Sequence, residues 1–430
     1  MSEKVTIIGG GLAGCEAAWQ IAQRGGEAVI LEMKPVKLSP AHTTDALAEL
    51  VCSNSLKSES LENASGVLKE EMRAMGSLVV KAAEATRVPA GGTLAVDRAA
   101  FSAFIMSALE QAGVEVIRGE IAEIPAVRPL VIASGPLTSD ALAVSIQSLI
   151  GIQSLNFYDA VAPIVYKESI DMDSAFSASR YGKGGDDYIN CPMTREEYEA
   201  FYNELIKADT ARAREFEDMK SFEACMPIEV MAQRGPQTLL FGPMRPVGLT
   251  DPRTGKRPFA VIQLRRENRE DTLYNIVGFQ TRLTFTEQKR IFPMIPALKR
   301  AEFARLGKLH RNSYIDSPRL LTEAQQLRSD PSIFFAGQIT GVEGYCESAA
   351  SGILAGINAL RLARSQSPVC PPEATITGAL MRHISGAQGP FTPMNANMGL
   401  LPPEKGKDRR TKQSKKAVEA ILSWTETLAN

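Results

Sequence analysis

Residues 4 to 32 leave few choices of fold. Lys4–Ile8 (KVTII) is a β-branched, apolar run that leads into Gly9-x-Gly11-x-x-Gly14. The segment from Cys15 to Arg24 (CEAAWQIAQR) reads as a helix, Gly25 and Gly26 break it, and Ala28–Leu31 (AVIL) is a second apolar run ending on Glu32. Strand, glycine turn, helix, strand, acid is the order of a βαβ unit that binds a dinucleotide. The first glycine makes the tight turn, the second lets the backbone approach a pyrophosphate, and the third lets helix and strand pack closely. The pyrophosphate then rests on the positive end of the helix. Glu32 comes 18 residues after Gly14, at a strand end where a carboxylate can bind ribose hydroxyls. Gly9, Gly10, Gly11, Leu12, Ala13, Gly14 and Glu32 are therefore the candidate dinucleotide-binding residues.

Two later elements narrow the choice of dinucleotide. Val131–Gly135 (VIASG) and Ile333–Gln338 (IFFAGQ) repeat a strand-then-glycine texture, the second of them in the C-terminal third. A single fingerprint at the N-terminus with a late strand and helix returning to the cofactor is the layout of FAD enzymes of the glutathione-reductase type; a nicotinamide dehydrogenase has no need of the late element. Gly337, Gln338 and Tyr345 become candidate flavin neighbours. Gln338 departs from the pattern, since many flavoproteins carry Asp there.

The organisation that follows is α/β: a FAD-binding Rossmann-like domain of glutathione-reductase type with a mixed α+β insertion domain. Residues 1–152 give its first part, with a helix expected over Gly66–Ala85, strands over Val114–Ile117 and Leu130–Ala133, and a helix over Thr138–Ile150. Residues 153–325 form the insertion, where aromatic and β-branched stretches at Thr238–Phe241, Phe259–Leu264 and Leu273–Phe279 alternate with turns such as Asp251–Gly255 (DPRTG). Residues 326–403 return to the first domain through Ser332–Gly337 and a helix at Ala349–Ala363. Residues 404–430 form a basic C-terminal segment with a helix over about 411–428.

Composition removes other classes. No apolar run of about 18 residues occurs, and the first residues lead directly into a strand, so neither a membrane span nor a signal peptide is expected and the chain is placed in the cytoplasm. Six cysteines stand without a CxxC pair, which excludes a four-cysteine zinc site and argues for thiols. His42, His310 and His383 lie far apart, so no metal site is expected, and His42 reads as a loop hydrogen-bonder.

Residues 336 to 356 (AGQITGVEGYCESAASGILAG) resemble the glucose-inhibited-division flavoproteins, which modify tRNA uridines. Ala48–Leu56 (AELVCSNSL), Arg87–Arg98 (RVPAGGTLAVDR), Phe222–Pro227 (FEACMP) and Leu240–Leu249 (LFGPMRPVGL) are similar to the bacterial folate- and FAD-dependent tRNA (uracil-5-)-methyltransferases, over roughly residues 4–403. The resemblance implies methylation at C5 of a uridine in the T-loop of tRNA. It implies FAD, 5,10-methylenetetrahydrofolate as one-carbon donor and NAD(P)H as reductant, with tRNA as partner and neither DNA nor a membrane. Alternatives are a FAD oxidoreductase acting on a small molecule, or a wobble-uridine modifier of the same superfamily, whose chains are longer.

That chemistry asks for thiols, because a thiolate adding to C6 of uracil makes C5 reactive. Cys225, before Met226-Pro227, and Cys52, in a polar loop, are raised by the resemblance. Cys225 adjoins the segment that carries the positive charge, so it is assigned the attack on C6, and Cys52 the C5 proton or protection of the flavin. Cys15 reads as structural, and Cys346 competes. The positive charge is local: residues 234–319 hold 17 Lys and Arg against seven acids, so this segment carries +10 and the rest of the chain −11. Interleaved with Phe259, Tyr274, Phe279, Phe285 and His310, it suits a phosphate backbone with exposed bases. Arg265, Arg266 and Arg269 are the candidate RNA-binding residues, supplemented by the basic stretch Lys405–Lys416.

Overall fold

The first apolar run forms β1 (Lys4–Ile8), the segment after the glycine turn forms α1 (Leu12–Gln23), and the second run forms β2 (Glu27–Glu32). The computed structural model describes residues 3–39, 41–151, 155–182, 184–211, 226–388 and 391–429. After β2 come a short strand, β3 (Ser55–Ser58), and two helices, α2 (Ala64–Ala74) and α3 (Leu78–Ala85). One helix was expected across this stretch. Gly76 turns the chain at a φ of +73°, and Ser77 then caps α3 by accepting from Val80 N. The buried Glu16 carboxylate of α1 accepts from Val79 N (2.8 Å) and Leu78 N (3.2 Å), so the break is fixed by a residue sixty positions away.

β4 (Arg87–Val88) and β5 (Thr93–Val96) complete a small antiparallel sheet with β3. α4 (Arg98–Gln111), β6 (Glu115–Arg118), β7 (Leu130–Ile132) and α5 (Asp140–Ile150) then close the first pass.

The insertion begins with β8 (Leu155–Ala160) and β9 (Ile164–Tyr166). It continues through β10 (Phe176–Ser177), β11 (Tyr188–Met193), α6 (Arg195–Leu205), α7 (Ile228–Gln233) and the single turn α8 (Thr238–Phe241). β12 (Ala260–Arg266), β13 (Leu273–Ile276), α9 (Phe285–Ile291), β14 (Phe303–Arg305) and β15 (Leu309–Tyr314) finish it. Strands 10-11-12-13-9-14 make one antiparallel sheet, packed on α6, α7 and α9 through Phe201, Ile228, Phe279, Ile291 and Phe292. Thr238–Phe241 is a helical turn, entered by Thr238 N donating to Gly235 O and left at Gly242, whose N donates to Leu239 O. β8 and β15 pair antiparallel with each other, so the chain leaves for this sheet and comes back from it along one two-stranded ribbon.

The return is α10 (Ser317–Leu320), β16 (Gln326–Leu327), β17 (Asp330–Phe335), α11 (Tyr345–Ala363), α12 (Ile376–Gly386) and α13 (Arg409–Ala429). β17 enters the first sheet beside β7, giving the order 16-17-7-1-2-6, parallel throughout except for β16. Val5, Ile7, Ile30, Val131 and Phe334 face α1, α4 and α11, whereas Ile8, Leu130, Ile132, Ile333 and Phe335 face Leu142 and Ile146 of α5. A parallel sheet buried on both faces needs such near-continuous apolar strands. No helix among the described residues is long and apolar enough to cross a membrane.

α1 and α11 approach backbone to backbone. A Cβ on Gly352 would stand 2.7 Å from Ala13 Cα, and one on Gly356 would stand 2.5 Å from Ala17 O. Two glycines one helical turn apart therefore seat the C-terminal helix on the N-terminal one. Gly352→Val should lower unfolding stability by about 3 kcal/mol or more, the upper range for overpacking. Gly386→Ala, where an added Cβ meets nothing within 4 Å, should change it by less than about 0.5 kcal/mol in the same urea titration.

Candidate active site

Three elements converge on one cleft at the C-terminal ends of the parallel strands. Gly9–Ala13 and Glu32 form one wall, Ser134–Ser139 between β7 and α5 a second, and Gly337, Gln338, Tyr345 and Ser348 of the return segment a third. Gly9 holds a φ of +103°, and a Cβ there would stand 2.5 Å from Ala133 O; a Cβ on Gly14 would collide with the Gly9 carbonyl. At Gly11 the result is opposite, for a Cβ would meet nothing within 4 Å and would project into open space. No side chain caps α1 and no acid stands in its first turn, so its positive end is left to the cleft. Glu32, buried, accepts from Gly10 N (2.6 Å) and Lys34 N (2.9 Å). The glycine cradle, bare helix end and strand-end carboxylate fit the pyrophosphate and ribose of a dinucleotide.

His42 lines this cleft, with Nδ1 3.0 Å from Ser39 Oγ in its own loop. Burial lowers its pKa, with Lys34 adding to the effect. Cys15, buried behind the turn, donates to Gly10 O at 3.3 Å, and burial pushes its thiol up, so it is structural as expected.

A second cleft opens beyond Val51, Pro136, Leu137, Gln338 and Tyr345, which line both. Cys52 stands in it. Its loop is held from every side: Cys52 N and Ser53 N donate to Tyr345 Oη at 2.9 and 3.1 Å, and Cys52 O accepts from Arg98 Nη2 at 3.3 Å and Arg305 Nη2 at 3.4 Å. Arg98 also donates to Leu50 O and, through Nε, to the buried Glu267 at 2.7 Å. Burial pushes the Tyr345 phenol up, with the neighbouring Cys52 adding to it, so this hydroxyl accepts two amide protons while keeping its own. Arg98 and Arg305 reach the Cys52 carbonyl and Arg265 the neighbouring Ser53 hydroxyl, so three guanidiniums surround this loop.

Cys346 lines the same cleft but is buried, donates weakly to Leu56 O at 3.8 Å, and is pushed up to about 11 by burial. It is the poorer nucleophile of the two. Cys225 lies outside the described residues. The chain on either side is described: Ala211 N donates to Arg282 O and Ile228 N to Gln280 O, both at 2.8 Å, and Gln280 lines the second cleft.

Of the three arginines expected to bind RNA, Arg265 is buried at the seam between the two large sheets, Arg266 is half-buried there, and Arg269 stays exposed. Arg265 is 7% exposed and donates to Asn54 Oδ1 (2.9 Å) and Ser53 Oγ (2.8 Å). Arg266 pairs with Asp271 at 2.9 Å, and its carbonyl accepts from Asn54 Nδ2. Arg269 donates to Ala85 O, and its amide to Asp97. The alternation of a strand turned Arg265 inward, which a count of charges does not register. Tyr274 and Phe279 are likewise core residues, whereas Phe285 and Phe241 are exposed. The sequence reading missed Arg98, Glu267 and Arg305, which meet only in the folded chain; Arg98 at the start of α4, directly after the capping Asp97, was the one with a local signal. Among the described residues no group of three or more His, Cys, Asp or Glu could hold a metal ion.

Residues 4–367 match the family model described as glucose inhibited division protein A. The chain is 58% identical over 435 residues to the methylenetetrahydrofolate–tRNA-(uracil-5-)-methyltransferase TrmFO of Geobacter sulfurreducens, covering all of both chains. It is 54% identical to the protein of that name from Aquifex aeolicus, covering 99% of this chain and 97% of the relative. Its fold is similar to the crystal structure of Aquifex aeolicus GidA, with a TM-score of 0.74 at 17% identity over 99% of this chain and 73% of that one.

Proposed function

The chain belongs to the glucose inhibited division protein A family, and from that premise we propose that it is a cytoplasmic, folate-dependent tRNA (uracil-5-)-methyltransferase that modifies a T-loop uridine. The observation that carries the reading is the meeting of the two clefts at Val51 and Tyr345, next to Cys52: a dinucleotide cradle opens directly into a second cleft with a thiol, a phenol and cationic walls. Full-length identity to relatives named for this reaction supports it.

In this reading Gly9–Gly14 hold the pyrophosphate of FAD, Glu32 its adenosine ribose, and Gly337, Gln338 and Tyr345 lie along the rest. The reduced flavin, when bound, would supply the hydride that completes the methyl group, and NAD(P)H would re-reduce it. The protein's task is to activate the base. A uridine inside a folded loop must be extruded to enter a pocket. A Cys225 thiolate adds to C6 and pushes the ring electrons toward C5, which takes the one-carbon unit of 5,10-methylenetetrahydrofolate. Cys52, held by Tyr345, Arg98 and Arg305, takes the C5 proton. Loss of that proton returns the pair to C5, which releases the protonated folate nitrogen and leaves an exocyclic methylene; hydride addition to that methylene completes the methyl group and restores the pair that expels the C6 thiolate.

The tRNA backbone falls to cations that the fold leaves exposed on the insertion, such as Lys256, Arg257, Lys289, Lys299 and Arg300, with exposed Phe241 and Phe285 as stacking surfaces. Arg409, Arg410 and Lys412 at the start of α13 extend this surface.

Purified protein should be yellow. Gly11→Val should keep the melting curve, since the new side chain meets open space, yet lose the flavin absorbance; a variant that retains full colour would move the cofactor elsewhere. Methyl transfer to unmodified tRNA should need both methylenetetrahydrofolate and reductant, and stop when either is omitted. tRNA carrying 5-fluorouridine, whose fluorine cannot leave as a cation, should trap a covalent adduct with wild type and with Cys52→Ala but not with Cys225→Ala. The reverse pattern would exchange the two thiols.

A further inference from the structure

Arg265 is a buried cation without a counter-ion. It projects from β12 into the second cleft, and its Nε and Nη2 are oriented by two neutral acceptors, Asn54 Oδ1 at 2.9 Å and Ser53 Oγ at 2.8 Å. Its third nitrogen, Nη1, bonds no group among the described residues, and no carboxylate among them pairs with the side chain. The nearest acid, Glu267, is taken by Arg98 at 2.7 Å. Arg305, from the other side of the Cys52 loop, adds a second guanidinium whose buried Nε has no partner. Three guanidiniums thus share one carboxylate at this end of the cleft. At the other end Lys57 Nζ lies 2.9 Å from Glu347, and Glu343 lines the cleft beside them.

A buried, unpaired charge costs several kcal/mol in a folded protein. Its persistence at a cleft has a chemical use where negative charge develops during reaction, because a preorganised donor then acts without reorganising. Thiolate addition to C6 of uracil moves the C5–C6 π pair through C4 onto O4, and the pair returns when C5 bonds the one-carbon unit. No proton needs to reach O4, so a group that donates a hydrogen bond and never gives up its proton suits it. A guanidinium does. Burial lowers the affinity of Arg265 for its proton, from a starting value far above neutrality.

Resting on the methyltransferase reading, we propose that Arg265 is a catalytic residue whose Nη1 donates to O4 of the target uridine and stabilises the enolate formed on C6 addition. Ser53 and Asn54 are its positioning residues. The expectation that Arg265 touches RNA is thereby moved from the phosphate backbone to the reacting base.

The test uses the flavin-loaded enzyme and two tRNA transcripts, with uridine or 4-thiouridine at the target, since sulfur is a poorer acceptor than oxygen. On uridine, Arg265→Gln should lower kcat by about 10²–10³-fold, as removal of one oxyanion donor does elsewhere, with tRNA affinity within about twofold. The 4-thio penalty in wild type should exceed that in Arg265→Gln by about tenfold or more, the range of a hydrogen bond to a charged group. Intrinsic reactivity of the sulfur analogue cancels in that ratio. Equal penalties in the two enzymes would overturn the assignment, as would a raised KM for methylenetetrahydrofolate with equal penalties, which would place Arg265 on the donor. If Arg265→Gln loses flavin or melts early, Arg265→Lys takes its place in the same ratio, a smaller penalty than wild type supporting the contact and an equal one refuting it. A wild type that methylates neither transcript ends the methyltransferase reading and this proposal together; one that methylates uridine while showing equal penalties ends this proposal alone.

Discussion

A guanidinium buried in a protein interior has to find acceptors for most of its donors, and that constraint shapes the centre of this molecule. Arg98 comes from the domain of the parallel sheet, Arg265 and Arg305 from the antiparallel one, and all three reach the loop at Leu50–Asn54. The loop supplies carbonyls and side-chain oxygens, and in exchange is fixed between two sheets. Its amides turn to Tyr345 Oη, at the start of α11 in the return segment. One short loop is thereby tied to three distant parts of the chain. Breaking the Arg98–Glu267 pair from one side would leave a buried charge behind, which typically costs about 3–5 kcal/mol.

The rest of the site follows from how tightly α11 can lie on α1. Gly352 and Gly356 bring the helix backbones together at Ala13 and Ala17, and this places Tyr345 at the border of both clefts. The first cleft is built for an anion, with a bare helix end and glycines that leave room. The second is built for chemistry, with a thiol, a phenol, amide side chains and unneutralised positive charge. They share a wall, so a cofactor in one and a substrate in the other would meet.

What the sequence disclosed and what it concealed divide along chain distance. The strand, turn, helix, strand and acid of residues 4–32 are local, and each is where the pattern placed it. The late strand at Ile333–Phe335 and the basic helix near the C-terminus were equally legible. Tyr345 was named as a cofactor neighbour, but its hydrogen bonds to residues 52 and 53 span almost three hundred positions and could not be read. The expected helix from Gly66 to Ala85 is divided because Glu16 caps its second half. Thr238–Phe241 is a single helical turn closed at Gly242, too short to show a helical period. Arg265 looked like a surface cation because charge composition says nothing about which face of a strand a residue occupies, and Tyr274 and Phe279 were misread for the same reason.

The central claim is that the base to be modified occupies the second cleft while the dinucleotide occupies the first. A crystal structure of the flavin-loaded protein with a T-arm hairpin tests it most directly. The account predicts the pyrophosphate over Gly11, with an extruded uridine between Cys52 and Arg265 on the far side of Leu137 and Tyr345. A uridine still stacked in its loop, or bound away from Cys52, would contradict it.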